Sequence, residues 1–214
     1  MIKIKTFAFN PFQENTYLLF DETGECAIID PGCYDDFEEK ELTAFIEEKK
    51  LKPVKLLNTH CHIDHIFGNK FISDKYKLGL EIHKLDLVVL KRAEDACKLY
   101  GIPGYEVSPE PEKFIDEGDE IFFGKSKLEI LFVPGHAPGH IAFVNKEQRF
   151  IIGGDVLFYG SIGRTDFPGC DHDALIRSIK NKFYTLGDDF QVMPGHGPDT
   201  NIGFEKKNNP FVSG

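Results

Sequence analysis

The chain has 214 residues, 41% of them hydrophobic, with 20 Phe, no Trp and a formal net charge of −10. This is enough apolar material for one sizeable core and excludes a disordered chain. The acidic balance argues against a nucleic-acid partner, whose phosphates call for clustered Lys and Arg, and no stretch is apolar enough to expect a membrane span.

Residues 2–9 and 15–20 read as strands of an opening hairpin or meander, and Glu25–Asp30 as a third strand stopped by Pro31-Gly32. Tyr34–Lys50 carries Phe37, Leu42, Phe45 and Ile46 near helical spacing on an acidic background. Pro53 begins a strand that runs through Val54–Leu57 into His60. A helix is expected over His65–Tyr76, a short strand over Leu80–His83, and a helix over Lys84–Tyr100 with Leu87, Leu90, Ala93 and Ala96 on one side. Residues 101–113, rich in Pro, Gly and Glu, suit either a flap over a site or a plain surface connection. Strands follow at Glu120–Phe123, Lys127–Val133, Ile141–Val144 and Arg149–Gly153, then a helix at Asp173–Thr185 and a last strand at Phe190–Met193.

No repeat or linker divides this order, so one domain over residues 1–214 is expected. It is of mixed α/β (α+β) class, with sheets packed inside helical layers. The cysteines Cys26, Cys33, Cys61, Cys97 and Cys170 are scattered, with no Cys-x-x-Cys pair or disulfide framework. The N-terminus alternates like a strand and lacks the unbroken apolar run of a signal peptide. A reduced, cytoplasmic protein is expected; nothing in the pattern sets its oligomeric state.

The densest chemistry is Thr59-His60-Cys61-His62-Ile63-Asp64-His65, which ends an apolar strand in a cluster of potential metal ligands. On extended backbone His60 and His62 face one way and Cys61 the other, which makes Cys61 a buried thiol rather than a ligand. Asp64 and His65 follow where the chain turns helical. Three later segments share one build, an apolar strand, a tight turn and a ligand-type residue: Val133-Pro134-Gly135-His136, Ile152-Gly153-Gly154-Asp155 and Met193-Pro194-Gly195-His196.

If those strand ends converge, seven groups meet: His60, His62, Asp64, His65, His136, Asp155 and His196. Two divalent ions with three terminal ligands each and one bridging carboxylate use all seven. Asp155 is the natural bridge, since a carboxylate spans two cations and a neutral imidazole offers one lone pair. Water held between such ions is acidic enough to attack near neutral pH. His140 suits a turn or a role behind the ligands, His83 a structural one, and His172 a surface or capping one. Asp30 suits either orienting a ligand histidine or a turn.

The pattern His60-x-His62-x-Asp64-His65, followed by His136, Asp155 and His196, resembles the metallo-β-lactamase superfamily over nearly the whole chain. The resemblance implies an αββα sandwich, two mixed β-sheets packed between helices with the metals at one edge. It assigns His60, His62 and His136 to one ion, Asp64, His65 and His196 to the other, and Asp155 to the bridge. Zinc is the expected ion, with iron and manganese compatible with the same donors.

Within that superfamily, Gly163-Arg164-Thr165-Asp166 and Gly195-His196-Gly197-Pro198-Asp199-Thr200, with Asn209-Pro210-Phe211, are similar to glyoxalase II-like (hydroxyacylglutathione hydrolase-like) enzymes. Those hydrolyse thioesters such as S-lactoylglutathione. The resemblance implies a small-molecule thioester substrate. Asp64 is then expected to orient the metal-bound hydroxide as well as bind metal, and Arg164 is a candidate carboxylate clamp, with pairing to Asp166 or Asp171 as the alternative. The 18 residues after His196 are too few for the C-terminal helical domain with which full-length glyoxalase II holds glutathione. A competing assignment is a persulfide dioxygenase with one iron on His60, His136 and Asp155. That group has Asp-Tyr after its last histidine, where this chain has Gly197-Pro198.

Overall fold

The computed structural model of the chain describes residues 1–214. Two six-stranded sheets face each other. The first runs in the order β1 (Lys3–Phe9), β2 (Glu14–Phe20), β3 (Glu25–Ile29), β4 (Lys52–Leu57), β5 (Leu80–Ile82), β6 (Pro111–Phe114). Its first three strands are antiparallel and its last four are mutually parallel. The second sheet starts with β7 (Glu120–Phe123), β8 (Ser126–Phe132), β9 (Ile141–Asn145) and β10 (Phe150–Gly154), paired antiparallel. Beyond β10 lie the parallel β13 (Gln191–Pro194) and the short β14 (Thr200–Asn201). A two-stranded ribbon, β11 (Leu157–Phe158) and β12 (Ser161–Ile162), stands apart.

Period-two alternation explains the layering. Tyr17, Leu19, Ala27, Ile29 and Leu57 point inward to meet Ile130, Ile141, Phe143 and Ile152 of the second sheet. Their neighbours Leu18, Ile28 and Leu56 point outward to α1 (Asp36–Glu48), α3 (Asn69–Tyr76) and α4 (Leu87–Tyr100). On the far side Ala142, Val144 and Ile151 pack under α5 (His172–Ser178) and α6 (Ile202–Asn208). Both faces of the central strands are covered, so they carry continuous apolar runs such as Tyr17–Phe20, Cys26–Ile29, Ile141–Val144 and Phe150–Ile152. The expected αββα sandwich is the observed fold. No helix is long and apolar enough to cross a membrane.

The departures from expectation have local causes. The helix expected over 65–76 is two pieces, α2 (Ile63–Ile66) and α3. It breaks at Phe67-Gly68, where the Gly68 N–H donates to Pro31 O at 2.7 Å and a Cβ would overlap Cys33 Sγ. Lys84–Asp86 is a 3₁₀ turn before α4, and 179–183 a π-turn after α5. Residues 101–113 do not cover the site. Their middle packs over Tyr34 and Phe67, and their end enters β6, an edge strand with only main-chain pairing to reveal it. Strands β11, β12 and β14 and helix α6 are too short for their periodicity to stand out.

The two sheets are tied at one end by Asp21, in the turn after β2. Its Oδ2 accepts from Lys125 N (2.7 Å) and Ser126 Oγ (2.9 Å) in the β7–β8 turn, and its Oδ1 from Thr23 N (2.9 Å). Burial alone would raise this carboxyl, but the donors outweigh it and hold its pKa down to about 2 from 3.8. Because the folded value lies below the unfolded one, the stabilisation is present above pH 4 and is lost as the pH falls toward 2. Asp21→Asn should cost about 1–3 kcal/mol at pH 7, and its deficit against the parent chain in urea unfolding should narrow as the pH is lowered below 4. A gap independent of pH would refute the assignment.

Candidate metal centre

Strands β3 and β4 of the first sheet, and β8, β10 and β13 of the second, all direct their carboxyl ends to one edge of the sandwich. Just past those ends stand Asp30, the 58–65 loop, His136, Asp155 and His196. Main-chain bonds stitch the edge together. Asn15 N donates to Gly195 O (2.7 Å), Ile141 N to Thr59 O (2.9 Å), Gly195 N to Gly154 O (2.8 Å), and Tyr17 Oη to Pro194 O (2.7 Å).

The seven groups singled out in the sequence come together here. The donor atoms of His60, His62 and His136 lie within 4.8 Å of one another, as do those of Asp64, His65 and His196. His62 Nδ1 and His136 Nε2 are 2.8 Å apart, and His60 Nε2 is buried with no hydrogen-bond partner. Asp155 lies between the two groups. Its Oδ1 is 3.5 Å from His65 Nε2, and its Oδ2 is 3.5 Å from His136 Nε2 and 3.6 Å from His196 Nε2. Asp64 Oδ2 is 3.1 Å from His196 Nε2. His65 Nε2 and Asp155 Oδ1 are likewise buried without partners. Buried polar atoms left unpaired cost about 1–3 kcal/mol each, so three of them aimed at one another mark a place for a cation. The imidazole and carboxylate donors suit a divalent metal such as zinc or iron.

The outward-facing nitrogens explain why the rings point as they do. His65 Nδ1 is 3.1 Å from Asp30 Oδ2, His60 Nδ1 is 3.1 Å from Thr59 Oγ1, and His136 Nδ1 donates to Arg164 O (2.8 Å). His196 Nδ1 donates to Phe12 O at 3.1 Å. Each bond leaves Nε2 free to face the site. Asp30 does more than orient one ring. It also accepts from Thr59 N (2.7 Å) and Thr59 Oγ1 (2.6 Å), and its backbone takes a positive φ of 50°, a conformation that costs energy in a non-glycine residue. Asp30 is also close to His60 and His65 as a possible third donor group, but these hydrogen bonds occupy its oxygens.

The electrostatics follow from burial and neighbours. Burial and the adjacent His136 push His62 down to about 3, and burial with the surrounding imidazoles pushes His60 well below its ordinary value. Their lone pairs are therefore free for a metal. Burial would lower His65, but Asp64 and Asp155 overcome it and raise it well above its ordinary value. Burial would raise Asp155, but His65, His136 and His196 keep its carboxylate far below the usual range.

The other sequence candidates divide. Cys61 is fully buried in the core behind the loop, and His140 stacks on His60 (4.6 Å) while its Nε2 accepts from Asp155 N (3.0 Å). His83 caps its own turn and stacks on Phe132, and His172 opens α5 after the Asp171 cap. Arg164 lines the cleft, but its guanidinium is held by Asp166 in two 2.6 Å bonds, with Phe167 beneath it at 4.1 Å.

Three residues escaped the sequence. Glu14 is wholly buried, its carboxyl pushed well up by burial, with Oε1 3.7 Å from His65 Nδ1. Asp86 is buried and raised to about 6 by desolvation; it accepts from Cys61 N (2.5 Å) and Gly139 N (2.9 Å), joining two ligand loops. Arg92 lines the cleft from α4. None belongs to a recognisable spacing. Glycine matters at position 195, where any Cβ would overlap Asp155 Oδ1.

The metallo-beta-lactamase superfamily model matches residues 9–196. The chain belongs to that superfamily, whose hydrolases are metal-dependent. It is 37% identical to hydroxyacylglutathione hydrolase GloC of Haemophilus influenzae over 99% of each chain. Among solved structures it is similar to BLEG-1 B3 metallo-beta-lactamase (TM-score 0.89, 31% identity, 99% of this chain and 100% of the other). It is also similar to TTHA1623 in a di-iron-bound form (TM-score 0.87, 36% identity, 97% and 100%).

Asp30→Asn keeps the size of the side chain but leaves a single oxygen for the donors of Thr59 and His65. It should weaken metal binding about 10–100-fold in competition with a chromophoric chelator. Undiminished affinity would show that Asp30 serves the turn alone.

Proposed function

We propose that the chain is a metal-dependent thioester hydrolase, with S-lactoylglutathione or a related acyl-thiol as substrate. The observation that carries the metal-dependent part is the placement of Asp155, whose carboxylate lies between the two groups of donors, within 3.6 Å of His136 in one and of His65 and His196 in the other. The likeness to GloC supports the thioester part. His60, His62 and His136 would hold one divalent ion, Asp64, His65 and His196 a second, and Asp155 would join them, with zinc or iron suiting the donors. Metal ions held there would supply Lewis-acid polarisation of the acyl carbonyl and a water acidic enough to act near neutral pH.

The protein's own groups do the rest. Asp64 is partly exposed to the cleft and stands beside His196 Nε2, so it can hold and aim the attacking water. Asp30, Thr59, Arg164 O and Phe12 O fix the imidazole planes, so little reorganisation accompanies the reaction. The leaving group is a thiolate, whose conjugate acid has a pKa near 8.5, so no strong general acid is required. None is present: Glu14 is sealed from the cleft, and Arg164 is bound to Asp166. Gly197-Pro198 after His196, where the persulfide dioxygenases have Asp-Tyr, weighs against the dioxygenase. We further propose a single domain over residues 1–214, a reduced cytoplasmic setting, and no nucleic-acid or membrane partner.

Purified protein supplied with zinc should release thiol from S-lactoylglutathione. Exhaustive chelation should abolish the activity, and added zinc or iron should restore it. His62→Ala should lower kcat/KM by about a hundredfold or more, on the scale of losing one preorganised electrostatic contact. Hydrolysis that survives both chelation and His62→Ala would overturn the assignment.

A further inference from the structure

The donors lie at the floor of a cleft of about 1030 Å³, at the large end of the range for small-molecule sites. Its walls are unlike its floor. One wall is α4, which shows Val88, Ala96, Leu99 and Tyr100 to the cleft; Ile162 and Phe167 face them from the β11–β12 side. Leu99 is 80% exposed, Tyr100 56% and Val88 47%. These side chains are not core residues that happen to reach the surface. The buried stripe of α4 is Leu90, Ala93 and Cys97, so the exposed ones form a second apolar stripe on the same helix. A chain with a net charge of −10 has no shortage of polar residues to cover its surface. An apolar strip leading to a metal centre is a binding surface.

One cation interrupts the strip. Arg92 lies a turn from both Val88 and Ala96 and lines the same cleft. Its neighbours Lys91 and Lys98 are paired with Glu110 and Glu94, whereas no carboxylate lies within ion-pair distance of Arg92. Arg164, across the cleft, is held by Asp166. Arg92 is therefore the guanidinium free to receive an anion by a forked hydrogen bond.

We infer that the cleft selects thioesters whose acyl group is an extended or aromatic apolar unit lying along α4, with an anionic group of the substrate on Arg92. This rests on the thioester reading above and narrows it: a lactoyl group is too small and too polar to use the wall. Burying a methylene stabilises by about 0.8 kcal/mol, roughly fourfold per carbon where burial is complete, so chain length is the variable to test.

Two measurements separate this inference from the one beneath it. In the first, the zinc-loaded protein is assayed with S-acetyl-, S-butanoyl-, S-hexanoyl- and S-octanoylglutathione. The expected result is a rise in kcat/KM of tenfold or more from acetyl to hexanoyl. Leu99→Asp, at an exposed position where folding is not at stake, should flatten that rise. Arg92→Gln should raise KM by a similar factor at every length. In the second, S-methyl- and S-octylglutathione, thioethers that cannot be hydrolysed, are titrated calorimetrically. The octyl compound should bind at least tenfold more tightly, and Leu99→Asp should remove the difference. Hydrolysis that ignores acyl length, with equal binding of the two thioethers, would overturn the apolar cleft and leave thioester hydrolysis standing. Tight octyl binding without hydrolysis of any thioester would do the reverse.

Discussion

The site depends on two sheets packed face to face with their strand ends brought to one common edge. Its donors come from loops after β4, β8, β10 and β13, and no two of those strands share a hairpin. Metal ligands tolerate misplacement of only about half an ångström. Loops alone do not hold such tolerances; strand ends do. Tyr17 Oη and Asn15 N fasten β2 of the first sheet to Pro194 and Gly195 of the second, and Thr59 O receives Ile141 N. These bonds set the distance between the histidine groups. The apolar contact between the sheets, Leu19, Ile29 and Leu57 against Ile130, Phe143 and Ile152, holds the strands in register behind them.

A second constraint comes from burial. His60, His65 and Asp155 are almost wholly removed from water, and their inward atoms have no protein partner. Such an arrangement is unfavourable unless every outward atom is satisfied and the inward ones share a cation. Asp30 accepts from the Thr59 main chain and hydroxyl and lies beside His65 Nδ1, so one carboxylate orients rings in both donor groups. Its strained backbone shows that this geometry was imposed from outside the residue.

What the sequence revealed depended on how much chemistry was local. Four donor-type residues in the six positions His60–His65 have no packing explanation, and the three strand–turn–donor segments repeat one physical theme. The apolar runs of β2, β3 and β4 mark the buried strands equally well. Asp30 was legible only as a choice between orienting a ligand histidine and serving a turn, and Glu14 and Asp86 stayed hidden, because a carboxylate in a turn, at a strand start or before a helix is ordinary in sequence. Only the tertiary fold carries Asp86 to the amides of Cys61 and Gly139, in two separate loops. The ribbon β11–β12 and helix α6 were missed for a different reason. They are held by Glu205, which receives Gly160 N, Thr200 Oγ1 and Asn209 Nδ2, and a short element fixed by one buried carboxylate has no periodicity to display.

Helix α4 shows how such a fold can hold chemistry fixed while leaving selectivity free to change. Asp86, immediately before it, anchors its start to both the 60–62 and the 136–140 loops, so the helix cannot shift without disturbing the donors. Leu90, Ala93 and Cys97 lock the inner stripe into the core. The outer stripe carries none of these duties. Val88, Arg92, Ala96 and Leu99 face the cleft, and exposed substitutions away from special features usually change stability by no more than about 0.5 kcal/mol. One rigid helix thus separates two jobs by face. The inward side fixes where the clustered donors stand, and the outward side decides which molecules can lie beside them.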